Sequence, residues 1–326
     1  MSFATHIRPA TAALIRPLLL AVLIGTSGIG GPASAQQSFS KPDDAAQALV
    51  DAARNPGLGA LDRIFGPGGR ELLSSGDEAT DASRIADFLA LAEKGRSVAD
   101  GPDGRKILVF GKDGWRFPIP LRESAGQWTF DLAAGREEMR DRTIGVNELR
   151  AIAACAVYGA AQREYFASLH DDDPVQQYAQ RIVSSPGQHD GLWWPAEDAA
   201  DRSPLGDRIA AAEVTGGAEA TSPDGYVYRI LTRQGPNAPG GAYDYLVAGR
   251  MLAGFALVAW PERWDETGVM TFLCDQRGQV WQRNFGPRTS EHASRIRSLD
   301  PGREWSLVRG AGSQSARSAQ LEEKTP

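Results

Sequence analysis

Between residues 226 and 285 the chain carries five short runs rich in β-branched and aromatic residues, at 226–232, 243–248, 255–260, 269–274 and 280–285. The turns between the last three hold Glu266-Thr267-Gly268 and Asp275-Gln276-Arg277-Gly278, which is the spacing of an antiparallel meander. Ahead of them Leu149, Ile152, Ala156 and Gly159 recur at three and four residues, with Cys155 beside them and Phe166 further on. That periodicity predicts a helix over 147–169 that buries the stripe, and a second helix is expected over 175–183. Residues 143–308 should therefore fold as a long helix packed on a meander sheet.

The preceding stretch, 36–142, reads as a separate α+β unit. Lys41-Pro42-Asp43 opens a helix whose Ala45, Ala46, Leu49, Val50 and Ala53 share one face, and Asn55-Pro56-Gly57 ends it. Two more helices are expected at 71–74 and 81–94, the latter burying Ile85, Phe88, Leu89 and Ala92. Strands are expected at 106–110, 115–121 and 127–132, with Asp113-Gly114 as the turn between the first two. Pro118 and Pro120 place the middle run at a sheet edge or bulge. The fold class is α+β: N-terminal helices with a small antiparallel sheet, then the helix and meander.

Residues 1–35 bear on location. Arg8 and Arg16 precede the apolar run at 18–24 (LLLAVLI), and Ala33-Ser34-Ala35 is an A-x-A cleavage site. A signal peptide at 1–35 is expected, and with it a periplasmic or secreted protein. The apolar run falls short of the roughly 20 residues of a membrane span, so no transmembrane segment is expected after cleavage. Removing 1–35 takes away two Arg and no acid, so the net charge of −6 becomes −8. That sign argues against a nucleic-acid partner. Residues 309–326 read as a disordered tail. In an oxidising compartment Cys155 and Cys274 can bridge, closing a loop of about 120 residues, or can remain buried thiols.

Several runs carry a resemblance. ELLSSGD (71–77), FPIPL (117–121), AGREE (134–138), AQREY (161–165), DGLWWP (190–195), APGGAYDY (238–245) and GFALVAWP (254–261) occur in one order. Through them the mature chain resembles the uncharacterised bacterial domain-of-unknown-function family 2950. The resemblance implies an exported protein and brings no activity, cofactor or catalytic residue. That family commonly has an Asp/Gly-rich loop before a Tyr-Ala-Gln run; here the loop is His170-Asp171-Asp172-Asp173-Pro174, without glycine. Over 147–282, the NEL opening of the helix, GYVY (225–228) and TGVM (267–270) are similar to the head domain of a type IV pilin-like protein. Pilins continue their helix into an apolar segment, whereas 136–142 is charged here.

Candidate chemistry is sparse. There is no G-x-S-x-G, H-E-x-x-H, C-x-x-C or phosphate-loop pattern, so the usual signatures of hydrolase, zinc protease, thiol redox and nucleotide sites are missing. His189 and Asp190 lie in a loop beside Trp193 and Trp194, where rings can wall a pocket and the His can act as its polar handle. Asp171 and Asp173 are the candidate metal ligands, without the spaced donors of a calcium loop. No cofactor is expected. The expectation is a non-catalytic envelope binding or assembly-accessory module with a cell-envelope protein as partner; the alternative is an envelope hydrolase built around His189, Asp190 and Trp194.

Overall fold

The computed structural model describes residues 36–55, 59–196, 201–206, 219–223 and 225–309. The expected signal peptide, the tail beyond Arg309 and the Pro56-Gly57 helix stop lie outside the described residues.

Four helices come first. Helix α1 (Pro42–Arg54) has Pro at its start, Asp43 and Asp44 in its first turn, and a buried face of Ala45, Ala46, Leu49, Val50, Ala52 and Ala53. Short helices α2 (Ala60–Phe65) and α3 (Gly69–Leu73) follow, then α4 (Glu78–Glu93). Asp77 caps α4 by accepting from Thr80 N at 2.8 Å. Ile85, Phe88, Leu89 and Ala92 are only half-buried, so α4 covers the core edge and no residue of it is fully enclosed.

The ELLSSGD run is tied to α4 through Asp81. Its carboxylate accepts from Ser74 Oγ at 2.7 Å and from Ser75 N and Oγ at 2.7 and 2.6 Å. Those hydrogen bonds hold the carboxyl at about 2, below its ordinary 3.8. A depressed carboxylate stabilises the fold above its unfolded value, so this contribution is lost as pH falls from 3.8 towards 2. An NMR titration of Asp81 is expected to show a midpoint near 2; a midpoint at 3.8 would mean the serine hydrogen bonds are absent in solution.

Strands β1 (Arg96–Asp100), β2 (Lys106–Phe110), β3 (Trp115–Arg116), β4 (Leu121–Ser124) and β5 (Gln127–Phe130) form an antiparallel sheet in the order β1-β2-β4-β5, with β3 also on β2. The expected 115–121 strand is cut in two, because neither Pro118 nor Pro120 has an N–H to donate. Strand β1, mostly polar, is an addition that the residues did not announce. Phe39, Phe65, Phe110, Phe117 and Phe130 fill the core between sheet and helices.

Helix α5 (Leu132–Phe166) runs for 35 residues, capped by Asp131 accepting from Ala134 N at 3.2 Å. It starts 15 residues before the expected 147 and passes unbroken through the 142/143 boundary. The apolar clusters on either side share no residue, the first drawn from positions 39–132 and the second from 151–308. The buried face also differs from the expected stripe. Gly159 of that stripe and the neighbouring Cys155 are buried, but the rest of the buried line is Ile144, Asn147, Ala151, Tyr158, Ala161, Gln162 and Tyr165, while Leu149 is 56% exposed and Ile152 and Ala156 are half-buried. Polar members are tolerated there because each is hydrogen-bonded: Asn147 Nδ2 donates to Thr267 O at 3.0 Å and Tyr158 OH to Ala256 O at 3.2 Å.

Beyond α5 come β6 (Arg181–Val183), β7 (Gly191–Trp193), β8 (Glu219–Thr221) and β9 (Tyr226–Leu231). The helix expected over 175–183 is absent. Tyr178 N donates to Met251 O at 2.9 Å and Ala179 N to Gln162 Oε1 at 2.9 Å, so this backbone finds partners in an extended form. The expected 243–248 strand splits around fully buried Tyr245 into β11 (Tyr243–Asp244), paired with β10 (Arg233–Gln234), and β12 (Leu246–Val247), paired with β13 (Arg250–Met251). Strands β14 (Ala256–Pro261), β15 (Met270–Asp275) and β16 (Val280–Asn284), the short helix α6 (Thr289–Ala293) and β17 (Ser306–Leu307) complete the chain. The main sheet runs β8-β9-β14-β15-β16-β17 with every pair antiparallel; β14, β15 and β16 make the expected meander, while the 243–248 run lies outside this sheet.

Helix α5 is fastened to that sheet at two levels. Glu148 Oε1 accepts from Val269 N and Met270 N, both at 2.9 Å, at the entry to β15. Two turns further on, Cys155 is joined to Cys274 in β15 by a disulfide with Cα atoms 5.8 Å apart. Among the described residues no helix is long and apolar enough to cross a membrane.

Candidate functional site

Where α5 ends, two loops fold back beside it and enclose a solvent-open cleft of about 540 Å³. One loop, 170–180, leads into β6; the other, 184–190, joins β6 to β7. Both are held by side chains of the AQREY run. Gln162, fully buried, accepts from Ala179 N at 2.9 Å and donates to Ala179 O at 2.8 Å, pairing with that peptide as a strand would. Tyr165 OH donates to His189 O at 2.7 Å. Burial, with Asp171, Asp190 and Asp173 nearby, pushes the Tyr165 phenol well above its ordinary value, so it remains a donor. Tyr165→Phe is expected to cost about 1 to 2 kcal/mol and to speed amide exchange around His189.

The second loop depends on a glycine. Strands β6 and β7 pair in parallel with only residues 184–190 between them, and Ser184 N donates to Trp193 O at 2.8 Å. A Cβ on Gly191 would sit 2.7 Å from both Ser184 N and Val183 C, which is backbone that cannot yield. Gly191→Ala is expected to disrupt the 184–190 loop and lower the melting temperature. An unchanged melting curve would show that the close approach is dispensable.

The residues singled out from sequence are brought together, in roles that differ. Asp190 lines the cleft, its oxygens accepting from Ser185 N at 2.6 Å and Ser185 Oγ at 2.7 Å, with Arg181 Nε 3.7 Å away. His189 uses its backbone at the cleft: its N–H donates to both Asp171 oxygens at 2.9 Å. Its ring instead stacks on buried Trp194 with centroids 4.3 Å apart, and Nε2 lies 3.4 Å from Asp201 Oδ1. Trp194 Nε1 donates to that same oxygen at 2.9 Å. Trp193 is half-buried and packs against the second cluster.

Asp171 and Asp173 both line the cleft, yet each carboxylate faces its own partner. Asp173 is gripped by Arg250 Nε at 3.0 and 2.9 Å and accepts from Gln177 Nε2 at 3.0 Å. The hydrogen bond from Arg250 holds the Asp173 carboxyl below its ordinary value. Among the described residues no group of three His, Cys, Asp or Glu is placed to hold a metal ion. Among the described residues the His170 ring meets Tyr165, and the His189 ring meets Trp194 and Asp201 Oδ1.

Sequence reasoning passed over His170, Tyr165 and Tyr178. The His170 ring lies flat on Tyr165 with centroids 3.8 Å apart, and its Nε2 pairs with Tyr165 O at 2.9 Å, which makes that nitrogen the donor. Tyr178 packs on Phe166 and Phe255 at 4.6 and 4.8 Å while lining the cleft. The available signal was the AQREY run at the predicted end of the helix, with a His five residues beyond its Tyr.

A family model described as "Protein of unknown function (DUF2950)" matches residues 36–308. No curated protein and no solved structure is significantly similar to the chain.

Proposed function

The chain belongs to the DUF2950 family of unknown function, and from that premise we propose that it is an exported, non-catalytic binding module of the cell envelope. The cleft at the end of α5 is its ligand site. The observation that carries this reading is the state of the cleft's side chains. Tyr178 OH, the Gln188 side-chain amide and the terminal nitrogens of Arg181 make no hydrogen bond among the described residues, while the histidines have structural partners and no nucleophile beside them. Such a lining offers recognition without an evident step of bond making. Asp190, which the hydrolase alternative needs beside the His189 ring, is turned to Ser185.

Export is supported by the cleavage pattern at 33–35 and by a bridge that forms in oxidising compartments. The helix-on-meander unit, similar in plan to a pilin-like head, serves as the mount for the cleft, and the partner sought is a component of the envelope.

In-cell photo-cross-linking tests the proposal. The full chain carrying a photoreactive residue in place of Gln188 is expected to be recovered outside the cytoplasm, to begin at Gln36, and to form an envelope adduct. The same residue in place of exposed Lys112, in the β2–β3 turn, should form none. Retention of residues 1–35 in the cytoplasm, or equal adducts from both positions, counts against it.

A further inference from the structure

We propose that the ligand of this cleft is an uncharged glycan segment, an inference that rests on the binding-module reading above. Three features of the lining carry it, and each excludes a competing ligand chemistry.

The first is charge. Asp171, Asp173 and Asp190 stand at the cleft against Arg181 and Arg250. An anion such as phosphate would meet three carboxylates at close range. An isolated cation fares no better, because Asp173 is committed to Arg250, Asp190 to Ser185 and Arg181, and no three acidic or imidazole groups converge. A ligand without formal charge is opposed by neither set.

The second is the balance of donors and acceptors. Gln177 donates to Asp173 and Gln180 to Gly249 O, which leaves both amide oxygens as acceptors. The Gln188 amide and Tyr178 OH offer both functions, and Arg181, using Nε on Val183 O, offers its two outer nitrogens as donors. Sugar hydroxyls donate and accept at once, so this mixed set suits them. Peptide recognition instead uses an open strand edge or apolar pockets for alternate side chains, and the cleft presents mostly amides and carboxylates.

The third is a pair of aromatic rings held by neighbouring rings. His170 stacked on Tyr165, and Tyr178 backed by Phe166 and Phe255, make two supported rings on the wall. A pyranose has an apolar C–H face and a polar hydroxyl rim, which match ring and amides respectively. The volume of about 540 Å³ lies within the roughly 300–1,000 Å³ of small-ligand sites, enough for a short oligosaccharide.

Calorimetric titration of the exported protein with chitotriose and maltotriose as neutral probes, and with inorganic phosphate and putrescine as charged ones, tests the inference. Saturable binding of a neutral trisaccharide is expected, little changed by added salt. It should weaken about tenfold in Arg181→Ala, the loss of one charge-assisted hydrogen bond, and also weaken in Gln188→Ala with the melting curve unchanged. Gln188→Ala is the second variant, since that exposed side chain has no structural partner among the described residues. Binding of phosphate or putrescine without either sugar overturns the glycan inference and leaves the binding module intact. So does a protein adduct at position 188 from a chain that binds no sugar. If no probe binds and position 188 yields no adduct, both readings fall.

Discussion

Replacing Cys155 and Cys274 together by alanine is expected to lower stability by about 5 kcal/mol. The two residues are 119 apart in sequence, and the bridge withholds that much chain freedom from the unfolded state. It also sits where it matters mechanically, between the middle of α5 and β15, with both residues buried in the second cluster. A loss of that size is comparable with the whole stability of many domains. Urea unfolding followed by fluorescence should show the transition sensed by Trp260 and Trp281 moving to lower urea, with the one sensed by Trp115 and Trp128 almost unmoved. Equal shifts in both would mean that the two clusters unfold as one, and no shift would mean that the bridge contributes nothing.

Arg229→Leu is expected to cost about 3 kcal/mol, by a different mechanism. Arg229, only 6% exposed in β9, sends Nη1 to Ser294 O and Ile296 O, both at 3.0 Å, and Nη2 towards Ala293 O at 3.5 Å. These carbonyls lie in and just beyond the last turn of α6, where a cation is favoured; Ala293 O also accepts from Ile296 N, and Ser294 O and Ile296 O from Arg297 Nη1. Its Nε lies 2.8 Å from Glu219 Oε1, a charge contact whose angle falls outside hydrogen-bond geometry, and its guanidinium lies over Trp260 at 4.8 Å. Leucine fills the volume but removes the buried guanidinium and its bonds to those three carbonyls, leaving them with Ile296 N and Arg297 alone. Chemical denaturation should show the loss, with amide exchange rising first around residues 289–297. A stability within 0.5 kcal/mol of the parent, the scale of an ordinary surface change, would show that water replaces the guanidinium at no cost.

The meander was legible because β14, β15 and β16 alternate with turns whose residues have few other uses, such as Asp275 accepting from Arg277 N and Gln279 N. Helix α1 was legible for the same reason, since Pro42 and its two aspartates mark a start. The true face of α5 was hidden because its line passes through Asn147 and Gln162, which a hydrophobic pattern scores as surface. Their partners, Thr267 O and the Ala179 peptide, lie 120 and 17 residues away. Local periodicity carries no information about such contacts.

The site shows the same division. His189, Asp190 and Trp194 stand out as a loop His and Asp beside aromatic residues, and Asp171 and Asp173 as part of an acidic run; the structure places all of them in or near the cleft. Their roles were not readable, since the His189 ring points to Trp194 and Asp201 while His170 takes the place at the wall. The Val175 stretch scored as helix because Gln and Ala favour it; the Gln162 amide and Met251 O override that preference.

On the binding-module reading the ligand enters between the two loops at the end of α5. Hydrogen exchange of the exported protein, measured with and without envelope extract, tests it most directly. Protection of backbone amides at 170–181 and 185–191, with the 111–114 turn unaffected, is the expected result. Exchange unchanged in both loops, or protection confined to the first unit, would contradict it.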